Sequence, residues 1–237
     1  MAIDVTLRPA GPQDAAAVAA IHHSAWPEDG YDEARIRQAL QQPGNHCSLA
    51  LADGQAAAFV DGFLTCAPDG RLRWEVDLLA VAPPFRGRRL GEQLVRASRE
   101  YGRRQGAALG RGLVQVDNVA SQRTFARSEF ALDPTRYLLY TCPADPLEGG
   151  ADVPAQPAGR RAVEVATFNY SGLWVEEPYT EQDLEAALEH CAVRGLDLVG
   201  TLTPEDEPHA WQRLEALGFR QAGCYQWWRC HYPAGLA

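Results

Sequence analysis

Residues 85–94, FRGRRLGEQL, place two glycines and three arginines where a helical run begins. A helix start leaves several backbone N–H groups without intrahelical partners and carries about half a positive charge. A turn with little side-chain bulk lets those donors close around an anion. Arginines beside it add paired N–H donors for phosphate. The chemistry implied is capture of a pyrophosphate by the amides of Arg86, Gly87, Arg88, Arg89, Leu90 and Gly91. That charge is local, because the 237-residue chain carries a net charge of −9. All 22 basic residues are arginine, which rules out a P-loop lysine, a lysine Schiff base and a lysine nucleophile. Six such residues alone also describe a solvated helix start, so the surrounding elements decide.

Those elements are legible. VTLRPAGPQD reads as a strand, a turn and a helix start, with Asp14 as N-cap ahead of Val18, Ile21 and Ala25. YDEARIRQALQQPG is a second short helix stopped by Pro43-Gly44. Residues 46–81 read as three strands joined by hairpin turns at Asp53-Gly54 and Asp69-Gly70. Residues 90–104 form an amphipathic helix with Leu90, Leu94, Ala97 and Tyr101 on one face. GLVQVD is a strand, 119–128 a helix and TRYLLYTC a closing strand. Residues 143–161, rich in Pro, Gly and Ala, read as a linker.

After the linker the pattern partly repeats. VAPPFRGRRLGEQL (81–94) aligns with VEEPYTEQDLEAAL (175–188) at 81/175, 84/178, 85/179, 90/184 and 94/188. Each is preceded by strand-like residues and followed by helix, strand, helix and a Phe-led final segment, the mark of an internal duplication. In the second copy, Thr180–Glu185 replaces the arginine turn with three carboxylates and no glycine, so it is expected not to hold a pyrophosphate. Its expected role is structural: completing a sheet, covering a cleft or forming a subunit contact.

LLAVAPPFRGRRLGEQLV resembles the acetyl-CoA loop of the GNAT N-acetyltransferase superfamily, whose signature is Gln/Arg-x-x-Gly-x-Gly/Ala. Arg86 fills the first position and Gly91 the last, while Arg89 stands where the family usually has glycine. VDNVASQRTFARSEF is similar to the family's second landmark, an Asn leading a helix that ends in a Phe-bearing turn. The resemblance implies an α/β (α+β) fold, a mixed and mostly antiparallel sheet flanked by helices. It spans a domain at 1–142, with a linker at 143–161 and a degenerate half-domain at 162–237. It also implies coenzyme A as ligand, its pantetheine arm pairing with the backbone of Leu79, Ala80 and Val81, with Asn118 and Phe125 beside it. A carboxylate on the strand before the loop serves the family as base. Glu75 sits at a matching position, and Asp77 shares its strand face. The family's usual acid, a tyrosine seven residues after the Asn, is here Phe125, and Glu129 replaces a usual glycine. The implied activity is acetyl transfer from acetyl-CoA to a primary amine by direct transfer, with no metal.

Composition sets the remaining expectations. No apolar run reaches the roughly 18–20 residues of a membrane span, and the N-terminal residues lack a secretory pattern, so a cytoplasmic protein without a membrane partner is expected. The six scattered cysteines read as reduced, mostly buried thiols rather than zinc ligands. His22 and His23 read as helix-surface residues, and Trp174, Trp211, Trp227 and Trp228 as core or interface. The acceptor is a small-molecule or peptide amine, and a homodimer is open. Two rival readings stand beside the enzyme. One is a module that binds coenzyme A without turnover, motivated by Phe125 and Arg89. The other is a nucleic-acid-associated protein using the arginines of 86–104. Glu92–Arg96 and Glu100–Arg104 at i,i+4 argue for ordinary surface pairs instead, so no nucleic acid is expected.

Overall fold

The computed structural model describes residues 4–28, 30, 32–144 and 161–232. β1 (Val5–Pro9) precedes α1 (Ala15–Ala25) and α2 (Glu33–Ala39). β2 (Asn45–Ala52), β3 (Gln55–Cys66) and β4 (Leu72–Val81) follow as an antiparallel meander. In the first hairpin Asp53 and Gly54 both hold positive φ, 49° and 79°, the twist that a two-residue connection needs. Then come α3 (Leu90–Arg104), β5 (Leu109–Gln115), α4 (Val119–Arg127) and β6 (Ala131–Pro143). Beyond residue 161 lie β7 (Ala162–Ala166), β8 (Ser171–Val175), α5 (Glu181–Arg194), β9 (Leu198–Pro204), α6 (Pro208–Ala216) and β10 (Arg220–His231). Residues 145–160, most of the stretch read as a linker, fall outside the described residues. Asp14 stands ahead of α1 but does not cap it with its side chain. Its carboxylate instead accepts from Gly11 N–H at 2.9 Å and pairs with Arg8, which fixes the turn.

All ten strands form one sheet, in the order β1-β2-β3-β4-β5-β10-β6-β9-β8-β7. The two closing strands are exchanged. β10 pairs antiparallel with β5 of the first segment, and β6 pairs antiparallel with β9 of the second. β10 and β6 run antiparallel to each other in the centre. From that centre the order reads alike in both directions, β10-β5-β4-β3 and β6-β9-β8-β7, with β4·β5 and β8·β9 both parallel. The same turn precedes both exchanged strands: Phe130 N–H donates to Phe125 O at 3.2 Å and Phe219 N–H to Leu214 O at 3.0 Å.

Register corrects the alignment read from sequence. By strand pairing, Val175 ends β8·β9 where Val76 ends β4·β5, so its counterpart is Val76 and not Val81. β4 runs on past that point and β8 does not. A match of Val, Pro and an aromatic cannot detect a missing strand extension.

The period of two decides which face each strand residue takes. Trp74, Val76, Val114 and Trp228 pack under α3 and α4 with Leu94 and Phe125. Leu138, Leu173 and Val199 pack under α5 and α6. Arg73, Glu75, Arg111, Tyr137 and Trp227 turn to the opposite face. There α1 and α2 cover only the β2–β4 end, over Leu49, Phe59 and Ala80.

Candidate active site

β4 and β5 pair over four positions only, from Arg73↔Leu109 to Val76↔Gly112. Beyond Val76, β4 continues through Leu79, Ala80 and Val81 while β5 turns towards β10, leaving a split between two parallel strands. A bulge accompanies the split. Val60 faces Leu79 and Gly62 faces Val76, so Asp61 alone opposes Asp77 and Leu78. The Asp61 carboxylate accepts from Leu78 N–H at 2.8 Å.

At the mouth of the split lies the arginine turn. Gly87 and Arg89 both adopt positive φ, 77° and 58°, which orients the chain into α3. Arg89 holds a backbone position that favours glycine, which is the physical content of the family's usual residue there. No side chain caps α3. Among the described residues Arg86, Arg88 and Arg89 make no ion pair, whereas Arg96, Arg99, Arg103 and Arg104 all pair with glutamates. Arg88 lies over the Phe85 ring and Arg86 Nε donates to Val81 O at 3.1 Å. Gly91 packs against Leu79 and Thr124, and Leu90 is buried, leaving its N–H as the group on offer.

Phe125 sits at the apex of the split. Its ring is buried, edge-on to Phe130, and crosses Gly112 so closely that a Cβ there would fall 2.4 Å from it. Asn118 is the N-cap of α4, its side-chain oxygen accepting from Ser121 N–H at 3.1 Å.

Behind the apex a cavity of about 610 Å³ opens on the sheet face without α3. It is lined from both segments, and it reaches the split through Val76, Asp77, Leu78 and Leu113. Glu75 and Asp77 both line it, but their surroundings differ. Glu75 is held by Arg111 Nε at 2.8 Å and by Thr65 Oγ1 at 2.6 Å, with Arg73 at 3.5 Å. Arg73 and Arg111 both extend to Glu176 of the second segment, at 2.9 and 2.7 Å. The four form a buried, internally neutral cluster. Asp77 has no ion-pair partner among the described residues. Burial, then the charge of Glu75, pushes its carboxyl up to about 7. Burial, then Asp77, drives Asp61 upward too.

The sequence brought out Glu75, Asp77 and the arginine turn. It did not bring out Arg73, Arg111, Thr65, Tyr170 or Glu176. The available signal was the alternation of charge inside apolar strands, RWEVD and GRGLV, which places Arg73, Glu75 and Arg111 on one face. Trp174 and Trp227 line the cavity, in contrast to the core reading, with the Arg111 guanidinium 4.2 Å from the Trp227 ring centre. His22 is buried on α1 and not on its surface. The six cysteines are free thiols, but only Cys47 and Cys191 are buried.

Among the described residues the second segment has no uncapped helix start equivalent to that of α3. Thr180 and Asp183 form a reciprocal capping box at the start of α5, consuming the N–H groups that α3 leaves open.

Residues 15–130, which contain the split strand pair and the uncapped helix start, match the acetyltransferase (GNAT) family model. That match spans just under half of the 237-residue chain. It is similar in structure to a Pyrococcus horikoshii protein assigned as an acetyltransferase, at TM-score 0.63 and 16% identity over 97% of this chain and 90% of that one. It is likewise similar to a GCN5-related N-acetyltransferase from Sphaerobacter thermophilus, at TM-score 0.55 and 15% identity over 96% and 95%. Arabidopsis thaliana NAA60 in complex with acetyl-CoA matches at TM-score 0.51 and 15% identity, over 56% of this chain and 87% of that one. No curated protein matches the sequence. No helix among the described residues is long and apolar enough to cross a membrane.

Proposed function

We propose that the protein moves an acetyl group from acetyl-CoA to a primary amine, both bound at once and the group passing directly between them. The observation that carries this reading is the continuity of three features: an uncapped helix start, a split of backbone edges, and a cavity with Asp77 on its wall.

The amides from Gly87 to Gly91 and the arginines at 86, 88 and 89 suit a pyrophosphate. The β4 edge from Leu79 to Val81 suits the amides of a pantetheine arm, with Asn118 across the split. When bound, acetyl-CoA supplies the acetyl thioester at the apex. Asp77 takes a proton from the incoming ammonium, its affinity for protons matched to neutral pH. Glu75 is held in place by Arg111 and Thr65 and acts on Asp77 through its charge. Phe125 has no proton to give, so the departing thiolate takes its proton from water. Holding amine and thioester together supplies on the order of 7–11 kcal/mol, enough to sustain turnover without an acid on α4.

The test is release of free thiol from acetyl-CoA across a panel of primary amines, with wild type and Asp77→Asn compared. Amine-dependent release that falls about 10²–10⁴-fold in the variant supports the reading. Phe125 favours one other reading, a protein that retains coenzyme A without turnover. Binding of acetyl-CoA with no release by any amine would establish that alternative.

A further inference from the structure

Resting on that reading, we infer that the acceptor is an amine carried on a compact aromatic body, an arylalkylamine lacking a carboxylate, and that the second segment supplies its recognition. The cavity's rings come from across the sheet: Phe63, Tyr137, Tyr225 and Trp227 from β3, β6 and β10, Trp174 from β8 and Tyr170 from immediately before that strand. Around them stand aliphatic side chains such as Val163, Val165 and Leu202. A volume of about 610 Å³ admits an aromatic ring and its side arm with room to spare.

Charge narrows the class further. The two arginines on the wall, Arg73 and Arg111, are both engaged by Glu75 and Glu176. Neither offers a free fork to an acceptor's carboxylate. Of the four acids that line the cavity, Asp77 and Glu177 have no ion-pair partner among the described residues. One amine therefore has a partner beside the split, while the rest of the ligand meets rings and aliphatic carbon. Spermidine would set one ammonium at Asp77 and a second at most against Glu177, leaving its third against the apolar wall at a cost of several kcal/mol without a partner. An α-amino acid would bring its carboxylate towards Asp77.

Trp174 belongs to the second segment, and its indole N–H donates to Tyr170 Oη at 2.7 Å, which fixes both rings on the wall. Truncating it opens the wall without touching the acetyl-CoA mouth.

The experiment measures kcat/KM in the full-length protein for phenethylamine, spermidine and L-phenylalanine, alongside quenching of tryptophan fluorescence by each amine. Phenethylamine is expected to exceed the other two at least tenfold in kcat/KM. Trp174→Ala is expected to remove most of that advantage through KM while leaving coenzyme A affinity, read by calorimetry, within about twofold. Spermidine or phenylalanine preferred by the same margin would overturn the acceptor class while leaving acyl transfer standing. An unchanged ranking in Trp174→Ala would overturn the role of the second segment. Should no amine release thiol, the acyl-transfer reading falls. Selective quenching by phenethylamine would then still support the ligand class, and its absence would overturn that as well.

Discussion

Asp77 and Glu75 are two positions apart on one strand, yet only Glu75 has ion-pair partners among the described residues. Arg111 and Thr65 engage the Glu75 carboxylate, while Asp77 is pushed up to about 7 by burial and then by the charge of Glu75. The base must be ionised, so kcat/KM should rise about tenfold per pH unit below 7 and level off above it, and Asp77→Asn should abolish that limb. Stability runs the other way. Between about pH 4 and 7 the folded carboxyl keeps a proton that the unfolded one has lost, so folding weakens as pH rises through that window and stays level above it. Asp77→Asn should therefore melt higher than wild type at pH 8, a gain in stability traded for activity. A second residue-scale prediction concerns Arg89, whose φ of 58° is costly for a side chain with a Cβ. Arg89→Gly should stabilise the fold by about 1 kcal/mol, read by denaturant melts, and keep coenzyme A affinity within a few-fold because the donor is the backbone N–H.

The split between β4 and β5 depends on how α4 packs against it. The Phe125 ring occupies the space above Gly112, and any Cβ at that position would strike it. Gly112→Ala should cost about 1–3 kcal/mol by overpacking. Pairing it with Phe125→Leu should recover part of that loss, a coupling that a double-mutant cycle in urea would show. Elements of this kind were legible in the sequence wherever local chemistry fixed them. Asp53-Gly54 closes a hairpin and Leu90–Arg104 keeps a helical stripe. Glu75 lay open as a candidate through the family resemblance, and Asp77 because a period of two is a local rule. Arg111 and Glu176 were not, because each becomes meaningful only opposite Glu75 and Arg73, across contacts 36 and 103 residues away in sequence.

The exchange of β6 and β10 makes the whole chain the folding unit. Between β5 and β6 lies β10, and β9 covers the far side of β6, so a fragment ending at residue 142 would expose one edge of β5 and both edges of β6. It should aggregate or self-associate in size-exclusion chromatography, and co-expression with 143–237 should restore a soluble complex. Side-chain bonds also cross between the segments: Arg73 and Arg111 to Glu176, Arg35 to Asp197, and Asn45 Nδ2 to Ala166 O at 2.9 Å. Arg35, then backbone and hydroxyl donors of Ser171, hold Asp197 down at about 2, and Arg8 does the same for Asp14. Their stabilisation is complete above the ordinary carboxylate range and drains away as pH falls from about 4 towards 2, so melting temperature should drop steeply there. Glu176→Gln should cost about 3 kcal/mol by leaving two guanidinium groups facing one carboxylate.

A crystal structure with coenzyme A bound tests the central claim most directly. The account predicts the pyrophosphate on the amides of Gly87–Gly91, the arm along Leu79–Val81, and the thiol at the apex beside Asp77. A pyrophosphate seated elsewhere, or an arm that leaves the β4 edge bare, would contradict it.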